Sequence, residues 1–344
     1  MTIVCRLKGK GDIDMNRFNN LSSLDQMRMN RGTDDFKNIF HGLGEKQRQK
    51  AISYLNEDRL YFASLFILIP EIEALALYEK LNSRNAVALK ICAKILKDEN
   101  MFSHVAGLVS ENSGMTYSAL KWMLKTGSAD DGLNDDYDEV MDAVASLLIK
   151  TYKDNSVLPM VADMIFKRNR KGYLVHDLVW CFFQARTSYC LKLIAGYLRS
   201  PNRRDVELAR QLLHFIPDET GEGANLQKQY QNFLAWLQEN NQFLYFTGEN
   251  LQFTSDPKPC RVDLDAKYLY KSISPYNHKP LQPLTQAEQD HLQKFHELRR
   301  EDEKLLSKYS RRMHDRNLRS WNQWMQYPVD KQIEIAKAGL GGIR

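Results

Sequence analysis

From about Leu21 to Gln242 the apolar positions recur with a helical period in short segments, each punctuated by Gly, Pro, Asn, Asp or Ser. Val140, Val144, Leu147 and Leu148 stand at i, i+4, i+7 and i+8. They follow Asp135, Asp136 and Asp138, where a helix N-terminus favours negative charge. Cys190, Ile194, Tyr197 and Leu198 repeat that spacing, and Leu226, Tyr230, Phe233, Leu234 and Leu237 extend it. Val206, Ala209, Leu213 and Ile216 form a further stripe that ends at Pro217. Between Leu43 and Leu96, helix starts are expected near Glu45, Asp58, Glu71 and Arg84. β-Branched residues are sparse, and no two-residue hairpin turn lies between alternating runs. The pattern predicts an all-α chain.

Each of these helices is too small to hide its stripe alone, and stacking antiparallel neighbours around a continuous core satisfies them all. The body over residues 21–242 resembles HEAT and armadillo proteins in architecture only, which implies an irregular α-solenoid; a multi-helix bundle is the alternative. An arm of residues 1–20 precedes it. Gly127 to Asp138 reads as an exposed acidic loop between two halves of the array, and Pro217 to Ala224 as a second loop.

The pattern changes at Phe243. Phe243–Phe246 and Leu251–Thr254 are short aromatic or alternating runs around a four-residue loop, a small hairpin. Pro257, Pro259, Pro275, Pro280 and Pro283 then punctuate a wrap that completes the segment 243–284, within which Arg261–Tyr270 reads as either a strand or a helical turn. Thr285 and Glu288 form a capping box. Nothing between there and about Tyr327 breaks a helix, so one long, mostly polar C-terminal helix is expected. Pro328, a short helix over Asp330–Ala338 and a tail complete residues 285–344.

Charge sharpens this last segment. His291 to Arg344 holds 12 basic and 7 acidic residues, leaving 36 of each sign in residues 1–290, so the whole net charge of +5 sits at the C-terminal end. Arg300, Lys304, Lys308, Arg312 and Arg316 are spaced by four, with Arg311 and Arg319 beside them. Each step advances about 40° beyond a full turn, so the row sweeps a broad basic flank suited to phosphates or to an acidic protein groove. Glu301, Glu303 and Asp315 are placed to offset it through neighbours such as Glu301–Lys304 and Asp315–Arg319. Trp321 and Trp324 share a face at the end of the helix and read either as an interface anchor or as residues folded back onto the body.

Catalytic signatures are sparse. No phosphate-binding glycine loop or calcium-loop order occurs, and His291 and His296, five apart, fall on different helix faces, so no metal and no cofactor is expected. His176 and His214 read as core or boundary residues. Five cysteines without C-x-x-C spacing, the absence of a leader-like apolar run, and a longest apolar stretch of only Leu60–Ile69 predict a cytoplasmic protein that neither crosses nor needs a membrane. The expected role is a non-catalytic helical scaffold or adaptor that binds a protein partner. Its binding residues would be Arg300, Lys304, Lys308, Arg311, Arg312, Arg316, Arg319, Trp321 and Trp324. A nucleic-acid-binding protein is the alternative, and an enzyme the third reading.

Overall fold

The computed structural model describes residues 21–99, 113–214, 225–250 and 254–341, and these divide into two compact units, Met1–Met160 and Val161–Arg344. The fold is all-α with one two-stranded sheet. The division falls inside the run of helices that the periodicity presents as one body. The expected arm at 1–20 and the loop at 217–224 lie outside the described residues.

The first unit contains α1 (Ser23–Asn30), α2 (Thr33–Lys46), α3 (Arg48–Leu55), α4 (Phe62–Ile67), α5 (Ile69–Ala74), α6 (Ser83–Leu96), α7 (Ser113–Gly127) and α8 (Asp135–Ser146). Side-chain caps start several of them: Ser22, Asn82 and Asn134 each accept a backbone N–H three residues on. Val140, Val144 and Leu148 are fully buried as their period predicts, whereas Leu147 is exposed. Phe62 stacks on Tyr137 at 5.4 Å and Phe66 meets the same ring edge-on at 5.1 Å.

The acidic loop is not the solvated linker that its composition suggests. Arg28 reaches Asp130 with two hydrogen bonds, at 2.7 and 3.0 Å, and Asp131 is buried. Tyr137 donates to the carbonyl of Gly127 at 2.9 Å, and a Cβ on Gly127 would stand 2.6 Å from that phenol oxygen, so the close approach requires glycine. Composition alone could not reveal this, because the guanidinium that recruits the loop lies about a hundred residues earlier.

Behind Arg28 sits a wholly buried carboxylate. Asp25 accepts from Ser22 Oγ, from the Tyr61 N–H at 3.0 Å and from Ser64 Oγ at 2.6 Å, while Ser64 Oγ accepts from Arg28 Nε at 2.9 Å. Every donor in this relay is matched, which a buried charge requires.

The boundary falls within the first turn of α9 (Leu158–Lys171), and the second unit continues with α10 (His176–Phe183), α11 (Ser188–Gly196), α12 (Arg203–Leu213) and α13 (Leu226–Asn240). Phe166 stacks on Tyr197 at 3.5 Å, and the buried Asp205 takes a two-pronged bond from Arg170 at 2.8 and 3.1 Å. Strand β1 (Leu244–Phe246) pairs antiparallel with β2 (Cys260–Val262), in the register Leu244–Val262 and Phe246–Cys260. The expected hairpin therefore has a different second strand; Leu251–Phe253 lies outside the described residues, and Thr254 is in no strand. The ambiguous stretch from Arg261 is both things in turn, a strand followed by α14 (Leu264–Tyr268). The proline-rich wrap is tied down by backbone bonds such as Phe246 N–H to Pro275 O and Ser274 N–H to Lys279 O.

Beyond Thr285 the single helix expected to about Tyr327 is three shorter ones, α15 (Gln286–His296), α16 (Arg300–Arg316) and α17 (Leu318–Met325), and the short helix expected over Asp330–Ala338 is α18 (Val329–Gly341). The capping box at Thr285 and Glu288 forms as read, while Arg299 and Asn317 take extended backbone and restart the helix. Breaking the rod lets each narrow stripe turn inward.

Replacing Asp25 with alanine strands the Tyr61 amide and Ser64 hydroxyl and is expected to cost the first unit about 3 kcal/mol. Urea unfolding of the full chain measures it, and a loss below about 1 kcal/mol would mean the relay is not the support described.

Candidate functional site

The C-terminal helices close around one apolar core. Tyr268 and Phe295 stack at 4.5 Å, Trp324 meets Tyr268 edge-on at 6.1 Å and Tyr309 at 5.4 Å, and Leu306, Met325, Val329 and Ala336 complete the cluster. Its polar atoms are bonded within it. The Tyr268 hydroxyl donates to Gln332 Oε1 at 2.8 Å, Gln332 Nε2 donates to Tyr327 O at 2.9 Å, and Ser310 Oγ donates to Tyr268 O at 2.5 Å. Burial pushes the Tyr268 phenol up to about 12, although its bond to Gln332 opposes the shift.

The two tryptophans thus part company. Trp324 is 1% exposed and belongs to the core, so it is not an open anchor. Trp321 is half-buried, donates its Nε1–H to Ser310 Oγ at 2.8 Å and meets His314 edge-on at 5.0 Å. His314 in turn stacks on Tyr270 at 3.4 Å; burial, aided by the nearby Arg311 cation, lowers its pKa.

With this core on one side of α16, the basic residues are left on the other. Two of them are engaged: Arg300 bonds Glu303 at 2.7 Å, and Arg311 pairs with Asp315, donates to Glu239 O at 3.3 Å and lies over the Tyr270 ring. Asp302 is held by Arg299 at 3.3 Å and by Lys337 at 3.6 Å. The offsetting pairs expected for Lys304 and Arg319 do not form: Asp315 is taken by Arg311, and Glu301 makes no ion pair with Lys304. Among the described residues, Lys304, Lys308, Arg312, Arg316 and Arg319 have no carboxylate partner, and all but the half-buried Arg312 are exposed. Burial lowers the pKa of Lys267, and the nearby Arg311 and Lys308 cations push it the same way.

A second concavity was not legible in the sequence. α10, the end of α12, Gly248–Asn250 and the residues Ser255, Asp256, Pro257 and Pro259 line a groove of about 520 Å³ in the second unit. Val179, Trp180, Phe183, Leu208 and Leu212 give it an apolar floor. His176 and His214 both line it; the first is exposed, and the second bonds Pro257 O through Nε2 at 2.9 Å. These residues come from four separated stretches, so no local motif announced them.

Among the described residues, no group of three or more His, Cys, Asp or Glu side chains is placed to hold a metal ion, and no helix is long and apolar enough to cross a membrane. No protein-family model, curated protein or solved structure matches this chain.

Two outcomes follow for the C-terminal module. Trp324→Ala is expected to cost about 3–5 kcal/mol in urea unfolding, whereas Lys308→Glu with Arg312→Glu changes stability by less than about 0.5 kcal/mol per site, since neither cation has a partner to lose. His314 resists protonation when folded while the unfolded chain takes the proton normally, so stability is full above about pH 6.5 and declines as pH falls below it. A His314→Gln variant should flatten that decline in pH-dependent denaturation.

Proposed function

We propose that this chain is a non-catalytic helical scaffold or adaptor whose C-terminal module presents a basic face to an acidic surface of a protein partner. The observation that carries the reading is the row Lys304, Lys308, Arg312, Arg316 and Arg319, cations without carboxylate partners among the described residues, on helices whose opposite side is held by a packed core. A rigid backing matters because a cation on a fixed helix loses less freedom on binding than one on a loose tail. Complementary charge then speeds encounter and fixes register. The unpaired thiols of Cys92, Cys190 and Cys260 support a reducing, cytoplasmic setting.

One observation favours the nucleic-acid reading as a second. With Trp324 withdrawn into the core, the face has lost its main aromatic anchor and is left chiefly with charge, and charge alone suffices for phosphate backbones.

Fluorescence anisotropy with a labelled glutamate-rich peptide and a labelled DNA duplex separates the two. The adaptor reading expects the peptide to bind, and Lys308→Glu with Arg312→Glu to weaken it by about tenfold or more. Duplex binding that falls by up to about 500-fold between 50 and 200 mM salt, the loss due to five phosphate contacts, would replace it with the second reading. Affinities untouched by the double reversal would remove both.

A further inference from the structure

The groove in the second unit is independent of the basic face and has the opposite electrostatic character. Its lining includes three carboxylates, Asp177, Glu249 and Asp256, and two imidazoles, but neither lysine nor arginine, in a chain that is basic overall. Glu249 is neutralised by Arg261 and also accepts the Lys258 N–H at 3.0 Å. Among the described residues, Asp177, exposed in the first turn of α10, has no ion pair, and the one candidate for Asp256 is His214. With the His214 ring neutral, two carboxylates are therefore without a paired cation among the described residues in a groove that Trp180, Phe183 and aliphatic side chains also line.

His214 makes the preference more specific. Pro257 O can only accept, so the bond from Nε2 places the imidazole proton there and leaves Nδ1 of the neutral ring as an acceptor. That acceptor faces Asp256 Oδ1 at 3.7 Å, two lone-pair groups that one donor could bridge. An ammonium group entering beside them would bond both and balance the charge of Asp256. A volume of 520 Å³ lies in the range of small-molecule sites, and an apolar floor with a few convergent polar groups is their usual construction.

We propose that this groove binds an organic cation with a flat apolar body, its ammonium held between Asp256 and His214 in a lining that also includes Asp177, and its ring lying on Trp180 and Phe183. Three indole probes of nearly equal shape test the charge: tryptamine (cationic), tryptophol (neutral) and indole-3-acetate (anionic). They are titrated calorimetrically into the full chain near pH 8, where imidazole is ordinarily neutral. Tryptamine is expected to bind, tryptophol about tenfold more weakly, and indole-3-acetate not measurably. Asp256→Asn should weaken tryptamine about tenfold and leave tryptophol unchanged; its side chain is 71% exposed, so the fold is not at stake. The Lys308→Glu, Arg312→Glu variant should bind tryptamine as the parent does, which separates this site from the proposed docking face. Equal affinity for the cation and the neutral probe, or no heat from tryptamine at millimolar concentration, overturns the proposal.

Discussion

The C-terminal half of this molecule depends on one constraint: helices this polar must bring their few large apolar side chains to a common point. Tyr268, Phe295, Leu306 and Trp324 come from four helices, and none has enough apolar surface on its own helix to be covered there. Stacked and edge-on rings supply the packing, and Gln332 and Ser310 satisfy the phenol and carbonyl that would otherwise be buried bare. Charge distribution follows from that closure. Side chains that turn inward leave α16 only one side for its cations, and Asp302, Glu303 and Asp315 are consumed at Arg299, Arg300 and Arg311.

Local signals in the sequence proved readable where the physics is local. The capping box at Thr285 and Glu288, the buried period of Val140, Val144 and Leu148, and the all-α class needed no knowledge of distant residues. The break at Asn317 was also written locally, since its side chain caps the Ser320 amide at 3.1 Å, but without glycine or proline it passed for a continuing helix. Arg299 carries no such cap, so no side chain at that position marks the break.

Features set by distant partners were hidden for the same reason. Acidic residues 130 and 131 look solvated until Arg28 is placed beside them. β1 had a plausible neighbour a few residues on, yet pairs with Cys260–Val262. The groove draws on α9, α10, α12 and the loop after β1, and its two histidines are separated by 38 positions in the chain. Of the candidate site, the basic row was legible as a charge pattern. Which members stay unpaired was not, because that depends on where Asp315 and Asp302 turn.

The relay from Asp25 through Ser64 to Arg28 and Asp130 also orders events during synthesis. Ser64 and Tyr61 leave the ribosome well before Asp130, so the carboxylate of Asp25 can be housed while Arg28 still has no counter-ion. Closing a loop of about a hundred residues comes late and costs chain entropy. Among the described helices of the first unit, α1 therefore carries an arginine whose counter-ion is made about a hundred residues later.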